Sequence, residues 1–224
     1  MRLCLKLRWG AWRTPDPAVT RRALVLACLA TPAAAQRLAP QDIAASDLLP
    51  RLRAGGLVLF FRHADTRGEP CDQSFRLGDR AGQRNISPRG REQSRRIAAR
   101  MAELGIPLQF PVLAGPVYRA RDTAEEGWGA ERVEVTDSLL ADDFSGPRLD
   151  WVLAEHRRLF SAPVPQGVNR VLVGHRTPAI MIFGDQVAGR AFPEGAALVI
   201  EPGAMQVLSI VEFAAFPDGG FHNC

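Results

Sequence analysis

The sequence has no apolar run long enough to cross a membrane, and it has almost no lysine. Its longest uninterrupted apolar stretch, residues 23–30, is about half of the roughly 20 residues that a transmembrane helix needs, so we expect no stable membrane anchor. Lys6 is the single lysine, and the chain is therefore cationic through arginine. Arginine suits bidentate binding of phosphate or carboxylate, but a GC-rich coding bias produces the same composition. Internal repeats and low-complexity segments are also missing, which excludes repeat architectures.

The composition is that of a globular protein, with 46% hydrophobic and 23% charged residues among 224. The formal charge of +4 comes from the first 35 residues, which hold six basic residues and one acidic residue. The remaining 189 residues hold 22 basic and 23 acidic ones. A nucleic-acid-binding domain normally carries excess positive charge, so we expect no nucleic-acid partner.

Residues 1–35 have the order of features found in export signals. Arg21 and Arg22 precede the apolar stretch, Pro32 follows it, and the alanines at 33–35 form a small-residue cleavage site. The sequence therefore predicts a signal peptide over residues 1–35 and one domain over residues 36–224, located in the periplasm or secreted. The arginine pair also resembles a twin-arginine signal, and the export route stays open.

Two cysteines, Cys71 and Cys224, lie outside this leader. In an exported protein such a pair is a candidate for one disulfide. Idle thiols are the alternative, because the sequence does not show that the two residues meet. Neither lies in a nucleophile motif, so we expect no catalytic thiol.

Apolar segments of strand length alternate with helical patterns along residues 36–224. After a peripheral helical segment at residues 36–56, the run at residues 57–61 is typical of a strand buried on both faces. A polar loop at residues 67–86 has the length of functional loops, and Ser87 and Pro88 then begin a helix. The alternation predicts a three-layer α/β/α sandwich with a largely parallel central sheet. Further strands are expected at residues 110–114, 133–135, 170–173, 197–200 and 206–211, and further helices around Arg119, at residues 149–160 and after Pro178.

Two of the four histidines directly follow predicted strands. Arg62 and His63 follow the strand at residues 57–61, and His175 follows the strand at residues 170–173 after one glycine. Ligands of open α/β sheets bind beyond the carboxyl ends of the strands. We therefore expect both histidines to contribute to one functional site.

Four ordered segments resemble the histidine phosphatases, also called the phosphoglycerate mutase-like superfamily. The first contains Arg62, His63 and Ala64, with alanine where the family commonly has glycine. The others lie at residues 85–94, 115–124 and 171–175. The resemblance extends over about residues 57–212 and implies the phosphoglycerate mutase-like fold and phosphatase activity.

The resemblance also implies roles for the matched residues. His63 takes the role of the nucleophile, since a neutral imidazole nitrogen can attack phosphorus and form a phosphohistidine. Arg62, Arg119 and His175 take the role of the phosphate pocket, because phosphoryl transfer depends on positive groups around the phosphate oxygens. Asp142 takes the role of proton donor to the leaving group, with Asp143 as the main alternative.

The sequence contains no metal-ligand cluster, glycine-rich phosphate loop or nucleotide-binding motif, so we expect no cofactor and no metal. Asp137 also competes for the donor role, and the remaining alternative is a solvated acidic loop with another residue as donor or with none. The expected partner is a small phosphorylated substrate or a phosphorylated glycan or lipid. A phosphomutase and an inactive phosphate-binding protein of the same fold are the rival functions, and the sequence does not predict an oligomeric state.

Several other charged residues have no motif support. Arg176 either extends the pocket toward a second anionic group or lies on the surface. Arg121 should lie on the surface, and His156 and His222 should be structural or exposed. The arginines of the polar loop could meet an anionic substrate, but such loops are usually solvated, and we expect that outcome for Arg67, Arg76, Arg80 and Arg84.

Overall fold

The computed structural model describes residues 36–67 and 70–214. Its strands are β1 (Gln36–Leu38), β2 (Val58–Arg62), β3 (Leu108–Ala114), β4 (Val133–Val135), β5 (Asn169–Gly174), β6 (Ala197–Glu201) and β7 (Gln206–Val211). They form one sheet in the order β1-β7-β6-β2-β5-β3-β4. Among these described strands, β6 alone runs antiparallel to both of its neighbours, and every other pairing is parallel. The predicted largely parallel sheet is confirmed.

Helices cover both faces of the sheet. The α-helices are α1 (Leu48–Ala54), α2 (Pro88–Glu103), α3 (Tyr118–Trp128), α4 (Asp142–Ser145), α5 (Leu149–Ser161) and α6 (Arg176–Phe183). Short 3-10 helices lie at Ile43–Ala45, Ala130–Arg132, Asp137–Leu139, Gly146–Arg148, Gly184–Val187 and Gly189–Ala191. One hydrophobic cluster packs α1, α2 and α3 against the sheet, and a second packs α5 and α6 against it. The three-layer prediction is therefore confirmed.

The predicted strands lie within two residues of the observed bounds, and two other differences from the prediction are larger. Residues 36–56 do not form a wholly helical segment, because β1 pairs in parallel with Ser209–Val211 of β7. A strand this short gains its stability from that distant partner and leaves no periodic pattern in the sequence. Helix α6 begins at Arg176 and not after Pro178, since a proline in the first turn of a helix costs no intrahelical hydrogen bond.

Helix α2 begins as its sequence predicts and packs tightly behind β2. The Ser87 hydroxyl accepts a hydrogen bond from the Gly90 N–H at 2.9 Å, and Pro88 is the first helical residue. A Cβ atom at Gly90 would lie 2.1 Å from the Asp65 carbonyl oxygen. Only glycine therefore lets the first turn of α2 approach the chain that follows β2.

The predicted signal peptide, Cys224 and His222 lie outside the described residues. The export prediction and the boundary at residue 35 therefore stay predictions. Cys71 is disulfide-bonded, while its expected partner belongs to the residues that the structure does not describe. Within residues 36–67 and 70–214, no helix is both long and apolar enough to cross a membrane.

Candidate active site

The sheet brings His63 and His175 together. Strands β2 and β5 are parallel neighbours in which Arg62 lies opposite Gly174, and a histidine follows each of these residues. The His63 N–H donates to the Gly174 carbonyl at 3.0 Å. The two imidazole rings are buried with their centroids 5.5 Å apart, at the carboxyl ends of the strands.

The surroundings of His63 fix its protonation state. Its Nδ1 lies 2.9 Å from the Ala64 carbonyl oxygen, and because a carbonyl only accepts, Nδ1 carries the proton. The lone pair therefore lies on Nε2. Burial lowers the pKa of His63 well below its ordinary value, and the nearby Arg62 and Arg119 lower it further. His63 is thus a neutral imidazole with a basic nitrogen at neutral and mildly acidic pH.

His175 is also held neutral. Burial lowers its pKa well below the ordinary value, and Arg119 adds to the effect. Its Nε2 is buried and has no hydrogen-bond partner among the described residues. A buried polar atom of this kind is costly unless it is satisfied, and a phosphate oxygen could satisfy it.

Arg62 is fixed in place by two acceptors. Its Nη1 donates to the Phe192 carbonyl and its Nη2 to Glu194 Oε1, both at 3.2 Å. Burial lowers its pKa to about 10, so the side chain remains a cation at neutral pH. Its charge lies close enough to His63 to lower the pKa of that imidazole.

Arg84 joins the site, although we expected it to be solvated. It is 4% exposed, and its Nη2 lies 3.8 Å from Glu194 Oε1. Its charge also contributes to lowering the pKa values of His63 and His175. The prediction was wrong because a buried carboxylate compensates for the burial of this arginine, and that carboxylate lies far away in the sequence.

Glu194 was not found from the sequence, yet it organises one side of the site. Its carboxylate accepts from Arg62, from the Thr66 N–H at 3.2 Å and from the Thr66 hydroxyl at 3.1 Å. The next residue, Gly195, donates its N–H to the His63 carbonyl at 2.9 Å. No local motif marks this glutamate, because its importance comes from the arginines that fold against it.

Asp72 holds Arg119 as Glu194 holds Arg62, and it was also not identified from the sequence. Nη1 of Arg119 donates to both Asp72 oxygens, at 3.0 and 2.9 Å. The two side chains are only 5% and 7% exposed. Burial lowers the pKa of Arg119, and Asp72 opposes that shift. Each of these two predicted phosphate ligands is thus held by its own buried carboxylate.

Residues of the second and third motifs brace the chain after His63. The Ala64 N–H donates to the Thr123 hydroxyl, and the Asp65 N–H donates to Gln93 Oε1, both at 2.9 Å. The amide of Gln93 donates in turn to the Glu194 carbonyl at 3.1 Å. These bonds hold in place the two residues that directly follow His63.

Of the three candidate acids, Asp142 has the environment of a proton donor. It is half-buried and hydrogen-bonded to Thr177, two residues after His175. Burial raises its pKa above the ordinary value, and Asp143 raises it further. Asp143 itself is exposed. Asp137 is exposed and forms an ion pair with Arg148 at 3.0 Å, so it does not have the buried environment of Asp142.

The other charged residues divide between the site and the surface. Arg176 is half-buried, and its pKa is lowered by burial and also by Arg84, while Glu194 and Asp142 raise it. This places Arg176 among the charges of the site. Among the remaining candidates, Arg67 and Arg76 are exposed, Arg80 pairs with Asp122, Arg121 pairs with Glu125, and His156 is buried beside Phe60 and Phe160.

Within the part of the chain that the structure describes, no group of three or more histidine, cysteine or acidic residues is placed to hold a metal ion. The site described above consists of two neutral imidazoles, a set of guanidiniums and fewer carboxylates. It therefore presents net positive charge to a small anion. Its geometry suits a phosphate dianion, which needs several donors around one centre.

Comparisons with known proteins return phosphatases of similar structure. No protein-family model and no curated protein matches this chain. One similar solved structure is the protein histidine phosphatase SixA complexed with tungstate, with 18% identity, a TM-score of 0.43 and coverage of 66% of this chain and 90% of that one. Another is a mycobacterial glucosyl-3-phosphoglycerate phosphatase with inorganic phosphate, at 16% identity, a TM-score of 0.43 and coverage of 70% and 94%. Likenesses this distant assign no activity or substrate, so the function has to be argued from the site.

Proposed function

We propose that this chain is a phosphomonoesterase of the histidine phosphatase superfamily, which hydrolyses its substrate through a phosphohistidine on His63. The observation that carries the proposal is the state of His63. It is a buried neutral imidazole whose proton is committed to the Ala64 carbonyl, so its lone pair lies on Nε2, in a cluster of arginines. A neutral nucleophile beside fixed positive charge suits attack on a phosphate dianion.

In the first step, Nε2 of His63 attacks phosphorus and the bond to the leaving oxygen breaks. The imidazole becomes positively charged as the new bond forms, and the Ala64 carbonyl stabilises the Nδ1–H that carries part of this charge. Asp142, protonated at acidic pH because its pKa is raised, gives its proton to the leaving oxygen. The alcohol departs and Asp142 is left as a carboxylate.

In the second step, water attacks phosphorus and the phosphorus–nitrogen bond breaks. The Asp142 carboxylate takes the proton of the attacking water, as microscopic reversibility requires. His63 returns to the neutral form. Arg62, Arg119 and His175 bind the phosphate oxygens in both steps, and Arg84 adds a further positive charge.

The expected substrate is a phosphate monoester of a small molecule, glycan or lipid. Steady-state hydrolysis of an aryl phosphate by residues 36–224 tests the proposal, run from acidic to neutral pH beside His63→Ala. We expect turnover that His63→Ala abolishes while phosphate binding persists. Phosphate binding without turnover by the wild type would favour the binding-protein alternative, and transfer to a second alcohol in place of water would favour the mutase.

The proposal includes export through residues 1–35. Arg21 and Arg22 before the apolar stretch support it. Fusion of residues 1–35 to a reporter that is active only outside the cytoplasm tests this part separately. We expect export of the fusion, and retention in the cytoplasm would overturn it.

A further inference from the structure

Asp72 occupies one corner of the Arg119 guanidinium and leaves another edge open. Both carboxylate oxygens accept from the same nitrogen, Nη1. Nε and Nη2 form the opposite edge, which is one of the forks that binds two oxygens of a single phosphate. Nε of Arg119 is buried and has no hydrogen-bond partner among the described residues. The unused donor is therefore on the edge that Asp72 does not touch.

Asp72 is itself firmly anchored. Its Oδ1 also accepts a hydrogen bond from the backbone N–H of Arg84 at 2.7 Å. The carboxylate thus links the segment that carries Arg84 to the helix that carries Arg119. An acceptor held from both sides can fix the rotation of the guanidinium that it binds.

We propose that Asp72 is a positioning residue of the phosphate site. It holds Nη1 of Arg119 so that Nε and Nη2 can donate hydrogen bonds to two oxygens of the phosphate. The inference rests on the proposed function and extends it to a residue outside the four motifs. Asp72 does not touch the phosphate, and its effect passes through Arg119. Preorganised donors bind developing charge better than donors that must first be ordered.

If Asp72 opposed phosphate binding, its removal would change the affinity for phosphate in the opposite direction. A carboxylate that competed with phosphate for Arg119, or acted only through its negative charge, would weaken phosphate binding in the wild type. Its removal would then tighten binding. The direction of the change in affinity therefore separates positioning from competition.

The test is a double-mutant cycle on the dissociation constant of inorganic phosphate, measured by calorimetry for the wild type, Asp72→Asn, Arg119→Ala and the double variant. We expect Asp72→Asn to weaken phosphate binding about tenfold, as for a lost charge-assisted hydrogen bond. In the Arg119→Ala background the same substitution should change binding by less than about twofold. The control is Asp79→Asn in the same loop. Among the described residues, Asp79 accepts a hydrogen bond only from the Gly82 N–H, and the variant should bind phosphate like the wild type.

Tighter phosphate binding by Asp72→Asn would overturn the inference, and so would equal losses in both Arg119 backgrounds. If Asp72→Asn does not fold, Asp72→Glu replaces it in the cycle, with weaker binding expected because the carboxylate is displaced by one methylene. Phosphate binding needs no turnover, so the result is independent of hydrolysis. A wild type that binds phosphate without hydrolysing esters would defeat the proposed function alone, and one that binds no phosphate would defeat both.

Discussion

The imidazole rings of His63 and His175 lie 5.5 Å apart at the ends of neighbouring parallel strands. The register of β2 and β5 sets this distance, since Arg62 lies opposite Gly174 and a histidine follows each. Burial lowers the pKa of both rings. In the proposed function, one neutral ring attacks phosphorus while the other binds a phosphate oxygen, so both roles would come from one pair of strands.

Asp142→Asn should reveal the proton donor through its dependence on the leaving group. We expect kcat/KM for an alkyl phosphate, which reports the step in which the alcohol leaves, to fall about a hundredfold, because an alkoxide needs a proton to depart. For an aryl phosphate with an acidic leaving group, the loss should stay below about tenfold. Asp143→Asn is the matched control, since Asp143 is adjacent and exposed, and it should retain most activity with both esters. A larger loss in Asp143→Asn than in Asp142→Asn would reassign the donor.

The pH profile should place the activity in the acidic range. His63 has to be neutral to attack, and because its pKa is lowered, it stays neutral well below the ordinary histidine pKa. Asp142 has to be protonated, and because its pKa is raised, it keeps its proton to a higher pH than an ordinary aspartate. For an alkyl phosphate, kcat should decline as pH rises through the Asp142 pKa. Asp142→Asn should lose this decline, and an unchanged alkaline limb in that variant would contradict the assignment.

Arg84→Ala should impair the reaction although no motif includes this residue. Loss of a buried positive charge near the phosphate should lower kcat/KM about tenfold to a hundredfold, the usual range for hydrogen bonds to charged groups. Arg76→Ala is the control, because Arg76 is an exposed arginine of the same loop, and it should behave like the wild type. Equal kcat/KM values for the two variants would show that Arg84 has only a structural task.

His156 should make the folded state less stable at acidic pH. It is buried beside Phe60 and Phe160, and burial lowers its pKa from 6.5 to about 4. Between these two values the unfolded chain binds a proton that the folded chain does not, so stability falls as pH drops through this range. The full loss attributable to His156 is about 3 kcal/mol, and His63 and His175 shift stability in the same direction.

Urea unfolding at several pH values between about 7 and 4 checks this dependence. His156→Gln removes one titrating group, and its free energy of unfolding should change less with pH than that of the wild type. The same slope in both proteins would contradict the account of His156.

The sequence predicted the parts of the fold that depend on local patterns. Ser87 and Pro88 mark the start of α2, and the alternation of apolar runs with helical patterns predicts the layers. The placement of His63 and His175 at one edge also followed, because parallel strands end on the same side of a sheet. These features need no knowledge of distant contacts.

The features that the sequence did not reveal depend on partners far along the chain. Strand β1 forms only because β7 is beside it. Arg84 turns inward because Glu194, more than a hundred residues later, compensates for its burial. Asp72 and Glu194 belong to no local pattern, since a carboxylate that holds an arginine can come from any segment that reaches it. The loop length at residues 67–86 was the one signal that pointed toward Asp72 and Arg84.

Trapping a phosphohistidine would show whether His63 is the nucleophile. A protein of residues 36–224 is mixed with an aryl phosphate, quenched rapidly, and digested under conditions that preserve phosphohistidine, and the peptides are identified by mass spectrometry. We predict phosphate on the peptide that contains His63, at its highest level when Asp142→Asn slows the second step, and none in His63→Ala. Turnover with phosphate on another residue, or turnover that survives in His63→Ala, would contradict the account.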